Sequence, residues 1–243
     1  MAKLVDLIVR RLFLKNKSNL LSLDDPYQVI RRLLRGREVK VAIDAGASDG
    51  RISRRLLKLF PQSQVYAFEP NPIYRSVLNE FEGNDKRFHP RYYALSDRES
   101  EIDLQVTESA GNTSLFSPGP RLKMYQPEGT RIKHVEKVRT VTLDDWAAEE
   151  HIPGVEFMKF DIQGAELMAL KGAERLLSES TLVIYTEILF NPLYEGGAIF
   201  SDIDQLLRKY GFVLYNFYKP KHDKNDLLLW ANAIFAHSGR LGV

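Results

Sequence analysis

The sequence predicts an α/β protein with a doubly wound parallel sheet, and three observations support this. From residue 39 onward, short apolar runs of strand length alternate with stretches of helical periodicity. Short links join them, as in consecutive β-α-β units. The end of the chain differs, because residues 212–218 and 227–237 form two strand runs with no helix between them. Two such strands are expected to pair antiparallel as a hairpin.

The N-terminal part precedes this pattern. We expect a helical extension over residues 1–38 and one domain over residues 39–243. The first helix is basic and amphipathic, with Leu4, Ile8 and Leu12 one turn apart. It is too short and too charged to span a bilayer or to act as a signal peptide. We expect its apolar side to pack on the domain, and weak peripheral contact with an anionic membrane is the alternative.

A second helix is predicted to follow Asp25 and to end at Gly36. The first core strand, residues 40–47, is a continuous apolar run typical of a strand covered on both faces. A helix over 50–60 stops before a proline, and a second strand covers 64–70. Asn71 caps a helix that runs to about residue 81, and residues 87–97 are expected to form one strand.

The middle of the chain is less regular. Residues 101–109 alternate like an edge strand, and residues 111–134 are expected to form a long loop. A strand and a helix start follow at 137–146, and the fourth core strand covers 155–161. A helix is predicted from about 165 to 177, then a fifth strand over 181–189 and a helix over 201–211.

Bulk composition narrows the function. The chain of 243 residues has 34 Lys and Arg against 32 Asp and Glu, and no cysteine. The near-neutral balance argues against a dedicated nucleic-acid binder. The absence of cysteine removes disulfides, thiolate nucleophiles and cysteine metal sites. It is compatible with a reducing compartment, and we expect a cytoplasmic protein.

Carboxylates follow most of the predicted core strands. Because ligands bind beyond the carboxyl ends of parallel strands, these residues are expected at the site. The first loop reads D-x-G-x-x-x-G, with Asp44, Gly46, Asp49 and Gly50. Its acids would repel a pyrophosphate, which disfavours a dinucleotide. A cationic ligand without phosphate fits better, and S-adenosylmethionine is such a ligand.

The cofactor contacts can be assigned on this basis. Asp44 and Gly46 are the strongest candidates, and Asp49 either joins them or caps the following helix. Glu69 can accept hydrogen bonds from two ribose hydroxyls. The remaining candidates follow the second and third strands: Asn71, the Leu95 backbone and Ser96, the last two beside the adenine.

The order "VAIDAGASDG", "VYAFEPNP", "ALSD", "TLDDW", "MKFDIQGAE" and "EILFNPLYEGG" resembles the FkbM family of methyltransferases. That family's signature K-[IF]-D-[IV]-[EQ]-G-x-E is matched by Lys159 to Glu166. The resemblance runs from about residue 39 to the C-terminus. It implies the Rossmann-like class I methyltransferase fold, with seven strands, the last antiparallel. It also implies S-adenosylmethionine-dependent methylation of oxygen, commonly on a sugar, a glycan or a natural product.

Methyl transfer to an alcohol benefits from a base near the hydroxyl. Asp161, at the end of the fourth strand, is expected to contact the cofactor beside its methyl group, and it is the first candidate for that base or for orienting the hydroxyl. Glu166 is expected to act with it or only to complement a helix dipole. Glu187 is expected to face the same cleft. His89 and His134 are alternatives.

No spacing demands a metal, so none is expected, although three carboxylates are able to hold one. Tyr194 and Glu195 either contact the acceptor or belong to a surface insertion. The expected partner is a small-molecule or glycan hydroxyl acceptor. A nucleic-acid methyltransferase and an inactive cofactor-binding protein are the alternative functions, and an oxidoreductase is disfavoured by the acidic loop.

Overall fold

The computed structural model describes residues 25–243, so the predicted helix within residues 4–17 lies outside the described residues. Its core is a sheet of seven strands in the order β3-β2-β1-β7-β8-β10-β9. Their bounds are β1 Val41–Ala45, β2 Gln64–Phe68, β3 Phe88–Arg91, β7 Phe157–Phe160, β8 Val183–Leu189, β9 Phe212–His222 and β10 Leu228–His237. Of these seven strands, β10 alone runs against the others. The predicted fold class and the C-terminal hairpin are confirmed.

Helices cover both faces of this sheet. On one face lie α1 Pro26–Leu33, α2 Arg51–Leu59 and α3 Arg75–Asn84. On the other lie α5 Leu143–Glu149, α6 Glu166–Lys171, α7 Glu174–Glu179 and α8 Phe200–Lys209. A last helix, α9 Ser238–Leu241, follows β10. Apolar side chains at helical spacing bury one stripe of each long helix against the strands, which leaves the carboxyl edge of the sheet open.

The helix predicted after Asp25 is present as α1. Asp25 caps it, since its carboxylate accepts the N–H of Tyr27 at 3.2 Å. Its buried side chains include Tyr27, whose ring packs edge-on against Tyr185 of β8 at 5.4 Å. The proposed division of the chain between residues 38 and 39 stays a prediction. No helix within residues 25–243 has the length and apolar character needed to cross a membrane.

A second, three-stranded sheet lies beside the first and corrects two predictions. Residues 87–97 do not form one strand. The chain leaves the main sheet after β3, and β4 Ala94–Leu95 pairs with β6 Ile132–Val141. The expected edge strand, β5 Ser100–Thr107, pairs with β6 along its whole length. The hydrogen-bonding partner of β4 is thus 46 residues distant, since Ala94 pairs with Thr140, and local patterns do not reach so far.

The region predicted as a long loop is also more ordered than expected. It contains a 3₁₀ turn at Ala110–Asn112 and a helix, α4 Pro120–Tyr125, before β6 begins. Pro120 stands in the first turn of that helix, where its missing N–H costs nothing.

The helix predicted from about 165 to 177 is broken into α6 and α7 at Gly172. A Cβ at position 172 would lie 2.1 Å from the carbonyl oxygen of Ser96, so the chain passes closely there. Asp144 then accepts the N–H groups of Arg175 and Leu176 at 2.7 and 3.1 Å, and so starts a new helix.

Candidate active site

A cavity of about 280 Å³ lies beyond the carboxyl ends of β1, β2, β7 and β8, where strand order reverses about β1. Open parallel sheets bind ligands at this position. Three acids line it: Glu69, Asp161 and Glu187. Its apolar lining includes Phe68, Leu95, Leu104 and Ile162. No lysine or arginine from residues 25–243 lines the cavity, so its electrostatic character is acidic.

The loop after β1 passes so close to the end of β7 that only glycine fits at position 46. Gly46 has φ +74°, and a Cβ on it would lie 2.0 Å from the carbonyl oxygen of Asp161. The N–H groups of Gly46 and Ala47 both donate to the carbonyl of Phe68, at 2.9 and 3.2 Å. The loop is therefore held between the ends of β2 and β7, with Gly46 in the cavity lining.

Asp44 does not line the cavity. Its carboxylate is fully buried and accepts a hydrogen bond from Ser53 Oγ at 2.6 Å. It also lies 3.1 Å from Nζ of Lys159, a buried lysine on β7. The same Nζ donates to the carbonyl oxygens of Ala45 and Gly46, each at 3.1 Å. Asp44 and Lys159 thus join β1 to β7 directly beneath the cavity.

Lys159 is a residue that sequence reasoning missed as part of the site. Burial by itself lowers its pKa, but the carboxylates of Asp44 and Asp161 outweigh burial and raise that pKa above its usual value. Asp161 Oδ2 lies 4.0 Å from Nζ. The sequence pattern that could have indicated its role is a lysine within an otherwise apolar strand, because a lysine is almost never fully buried without a partner.

Glu69 is held in a fixed orientation at the end of β2. Its two carboxylate oxygens accept the N–H groups of Ser48 and Asn71, each at 2.9 Å. Burial raises the pKa of the Glu69 carboxyl, and those two N–H groups partly offset the increase. Asn71 caps the turn before α3 through Oδ1, which accepts the N–H of Ile73 at 3.2 Å. Its Nδ2 is buried in the cavity lining and has no hydrogen-bond partner among the described residues.

Three other predicted cofactor contacts differ in their placement. Leu95 lines the cavity. Ser96 is buried, but it is not among the lining residues, and its Oγ donates to Asp97 at 3.3 Å. Asp49 lies outside the lining, and its carboxylate accepts the N–H of Arg51 at 3.1 Å. The geometry of Asp49 therefore favours the helix-start alternative.

The turn after β7 is centred on Gln163, a second residue that sequence reasoning missed. Its Nε2 donates to Asp161 Oδ1 at 2.7 Å and to Glu187 Oε2 at 3.1 Å. Its Oε1 accepts the hydroxyl of Tyr194 at 2.6 Å. Gln163 has φ +57°, and Gly164, with φ +98°, continues the left-handed turn. A positive φ is uncommon for residues other than Gly, Asn or Asp. The hydrogen bonds of the Gln163 side chain therefore hold its backbone in this conformation.

Glu166 lies at the start of α6 and closes this turn. Its carboxylate oxygens accept the N–H groups of Ile162 and Gly164, each at 2.9 Å. Burial raises the pKa of Glu166 to about 7, although both N–H groups act in the opposite direction. Glu166 does not line the cavity. The geometry thus favours stabilisation of the turn over contact with a reacting group.

Glu187, near the end of β8, lies in the cavity lining with Asp161. Removal from water raises its pKa well above the usual value for a glutamate, and the carboxylates of Asp161 and Glu166 add to the effect. Lys159 and the amide of Gln163 act against it. A carboxyl poised in this way exchanges protons nearer neutral pH than an ordinary glutamate.

The structure thus collects part of the predicted set. Gly46, Glu69, Asn71, Leu95, Asp161 and Glu187 share the cavity. His89, bonded to Gln64, and His134, paired with Glu136, lie outside its lining. Glu195 is exposed, with Lys123 at 4.0 Å. Within residues 25–243 no three histidine or acidic side chains are placed to hold a metal ion together.

The family model and the sequence relatives agree with the resemblance. A family model described as "Methyltransferase FkbM domain" matches residues 44–214. The 2-O-methyltransferase NoeI of Sinorhizobium fredii is 32% identical over 196 residues, which are 78% of each chain. The methyltransferase sdnD of Sordaria araneosa is 24% identical over 193 residues, 70% of this chain and 72% of that one. Among solved structures, a precorrin-6y C5,15-methyltransferase from Geobacter metallireducens GS-15 has a TM-score of 0.46 at 16% identity, covering 91% of this chain and 92% of that chain.

Proposed function

This chain belongs to the FkbM methyltransferase family, and we propose that it transfers a methyl group from S-adenosylmethionine to a hydroxyl oxygen of a sugar, a glycan or another small hydroxylated molecule. The observation that carries the proposal is the acidic cavity at the ends of β1, β2 and β7, with Glu69 and Asn71 side by side in its lining. The name of the relative NoeI, a 2-O-methyltransferase, supports oxygen as the acceptor atom.

The cavity suits S-adenosylmethionine in its charge and in its donors and acceptors. The Glu69 carboxylate is fixed by two backbone N–H groups, and each of its oxygens keeps acceptor capacity for one hydroxyl of a ribose. The Nδ2 of Asn71, which has no hydrogen-bond partner within residues 25–243, is a donor for a ribose oxygen. Three acids in the lining favour a cation and disfavour the phosphates of a dinucleotide.

When bound, S-adenosylmethionine supplies a methyl group on a positively charged sulfur that leaves as a neutral thioether. The residues of the chain must then place the acceptor hydroxyl and receive its proton. Of the three predicted acids, Glu187 fits the role of base best, because it lines the cavity and its pKa is raised well above normal. Asp161, joined to Glu187 through Gln163, orients the hydroxyl in this proposal.

The cellular location of the protein and its contact with membranes are inferred from its composition. We propose a cytoplasmic protein, because a chain without cysteine needs no oxidising compartment. Weak peripheral contact with an anionic membrane, the alternative given above for the basic N-terminal region, stays a proposal. Four exposed arginines at the end of α1 and just beyond it continue that charge: Arg31, Arg32, Arg35 and Arg37.

The test is ligand binding to the wild-type protein and two variants. S-adenosylhomocysteine should raise the melting temperature, and NAD should not. Glu69→Gln should weaken S-adenosylhomocysteine binding by about tenfold or more, since a hydrogen bond to a charged group contributes about 1.5–3 kcal/mol. The matched control is Glu80→Gln on the exposed side of α3, which should bind as the wild type does. Stabilisation by NAD alone would refute the proposal.

A further inference from the structure

We propose that a second cavity, separated from the first by Gln163 and Glu187, is the acceptor subsite and takes one saccharide ring; this rests on the proposed function. The cavity has a volume of about 190 Å³. It lies among the 3₁₀ turn Ala110–Asn112, helix α4 and the facing ends of β8 and β10.

The two cavities share part of their lining, which gives the second one its relation to the chemistry. Gly111, Gln163 and Glu187 line both. A hydroxyl of a molecule in the second cavity can therefore meet the Glu187 carboxyl on the side where the cofactor is proposed to bind. The rest of that molecule would stay in the second cavity, away from Glu69 and Asn71.

The lining of the second cavity combines an apolar side with a few polar groups. The apolar side consists of Leu122, Leu189, Leu193, Tyr194 and Trp230. Trp230 is partly buried on β10, and the ring of Tyr125 packs edge-on against it at 5.3 Å and 89°. This contact fixes the indole in the lining. A saccharide ring has C–H groups that pack on such an aromatic surface.

The polar groups supply hydrogen bonds of both kinds. Asn112 Nδ2 donates to Gln126 Oε1 at 2.8 Å. This bond uses neither Oδ1 of Asn112 nor Nε2 of Gln126, so the first stays available as an acceptor and the second as a donor. Together with the Glu187 carboxyl they form a set that matches several hydroxyls on one ring. A phenol or catechol would offer fewer hydroxyls and would leave Oδ1 of Asn112 and Nε2 of Gln126 without a ligand partner, which costs affinity.

Charge argues in the same direction. Among the residues that the structure describes, Glu187 is the one acid in the lining, and no lysine or arginine lines this cavity. A phosphorylated or nucleic-acid acceptor would find no cation there to offset its charge. A neutral, hydroxylated ring is the ligand that these groups fit.

Contacts within the chain also make the lining of the second cavity rigid. Tyr194, which is 2% exposed, anchors its hydroxyl on Gln163. The chain before it is tied to the segment leading into α4, because Gly119 N–H donates to the carbonyl of Leu193 at 2.7 Å. A Cβ on Gly119 would lie 2.9 Å from that carbonyl oxygen. A rigid subsite loses little entropy when it binds a ring.

Tryptophan fluorescence tests this assignment without relying on turnover. The chain has two tryptophans, and Trp146 lies in the core at 3% exposure. With S-adenosylhomocysteine present, a panel of methyl hexopyranosides is titrated into wild type and into Trp230→Phe. We expect at least one glycoside to change the wild-type emission, and the change to disappear in Trp230→Phe. A change that persists in Trp230→Phe would overturn the assignment.

Turnover of the same panel decides the class of acceptor. The comparison compounds are cyclohexane-1,2-diol, which keeps a diol on a saturated ring, and catechol. We expect methylation of a pyranoside, with Gln126→Ala raising its KM about tenfold and leaving S-adenosylhomocysteine binding unchanged. The matched control, Gln62→Ala, is exposed and lies outside both cavities.

Two results would overturn the saccharide proposal. One is methylation of catechol without any pyranoside, and the other is no binding or methylation of any pyranoside by a protein that still binds S-adenosylhomocysteine. A wild-type protein that does not bind S-adenosylhomocysteine would instead contradict the proposed function. Failure of the saccharide proposal and failure of the proposed function therefore give different results.

Discussion

The Lys159 ammonium lies 3.1 Å from the Asp44 carboxylate, and the two side chains are only 5% and 0% exposed. The pair joins the two central strands of the sheet directly under the proposed cofactor cavity. Lys159 also donates to the carbonyls of Ala45 and Gly46, so three oxygen atoms surround its ammonium group at 3.1 Å. Such a pair is costly to break from one side, because the remaining charge stays buried.

Lys159→Met should therefore lower the free energy of unfolding by about 3–5 kcal/mol, measured by urea denaturation. The matched control is Lys40→Met. Lys40 pairs with Glu38 at 3.5 Å, with both side chains 68% exposed, and such pairs contribute about 0–1 kcal/mol. Equal effects of the two substitutions would contradict the structural role of Lys159.

Gly46→Ala should abolish cofactor binding, because its Cβ would displace the β1 loop from the Asp161 carbonyl. Gly36→Ala is a close control. Gly36 has φ +77°, almost that of Gly46, but a Cβ there meets nothing within 4 Å. It should cost only the backbone strain of about 1–2 kcal/mol and leave affinity for S-adenosylhomocysteine unchanged by calorimetry. Normal affinity in Gly46→Ala would contradict the close approach.

Glu187→Gln should lower kcat by at least about a hundredfold, in the range usual for loss of a positioned base. A base must be ionised, and the pKa of Glu187 is raised by burial and by Asp161 and Glu166. The wild-type kcat/KM should therefore rise with pH, and the rise should occur at a higher pH than the usual pKa range of a glutamate. The pH-rate profile measures this rise. An activity already constant from pH 4 upward would exclude Glu187 as the base.

Asp161→Asn should move that rise to lower pH. The substitution removes a negative charge that raises the pKa of Glu187, and the Gln163 amide can still donate to the new side-chain oxygen. The plateau rate should also fall, because the acceptor hydroxyl is held less well. Profiles of wild type and variant, recorded in one buffer series, make the comparison. A rise displaced to higher pH would contradict the assignment that the Asp161 charge raises the pKa of Glu187.

Glu166→Gln should change how stability depends on pH. Burial raises the folded-state pKa of Glu166 from 4.5 to about 7. Between these values the folded chain holds a proton that the unfolded chain has released, so this contribution to stability is full below pH 4.5 and is lost as pH rises through 7. The stability of wild type relative to the variant should fall by up to about 3 kcal/mol across this range, at about 1.4 kcal/mol per pKa unit. A constant difference in urea denaturation would contradict the raised pKa.

Much of the candidate site follows from local patterns. A parallel sheet places the residues after its strands at one edge, so Gly46, Glu69, Asp161 and Glu187 can be assigned to the site from their positions alone. What local patterns do not indicate is which way each strand-end acid turns. Asp44 turns inward because Lys159, more than a hundred residues away, meets it there.

The sequence by itself determined the alternation of strands and helices, the C-terminal hairpin and the acidic strand ends, because periodicity and turn residues act over a few positions. Only the tertiary structure decided the second sheet, the buried Lys159–Asp44 pair and the position of Gln163 between Asp161 and Glu187. These features arise from contacts between segments far apart in the chain. The contribution of these contacts to stability depends on the burial of the side chains and on the distances between them. Both are set only when the chain folds.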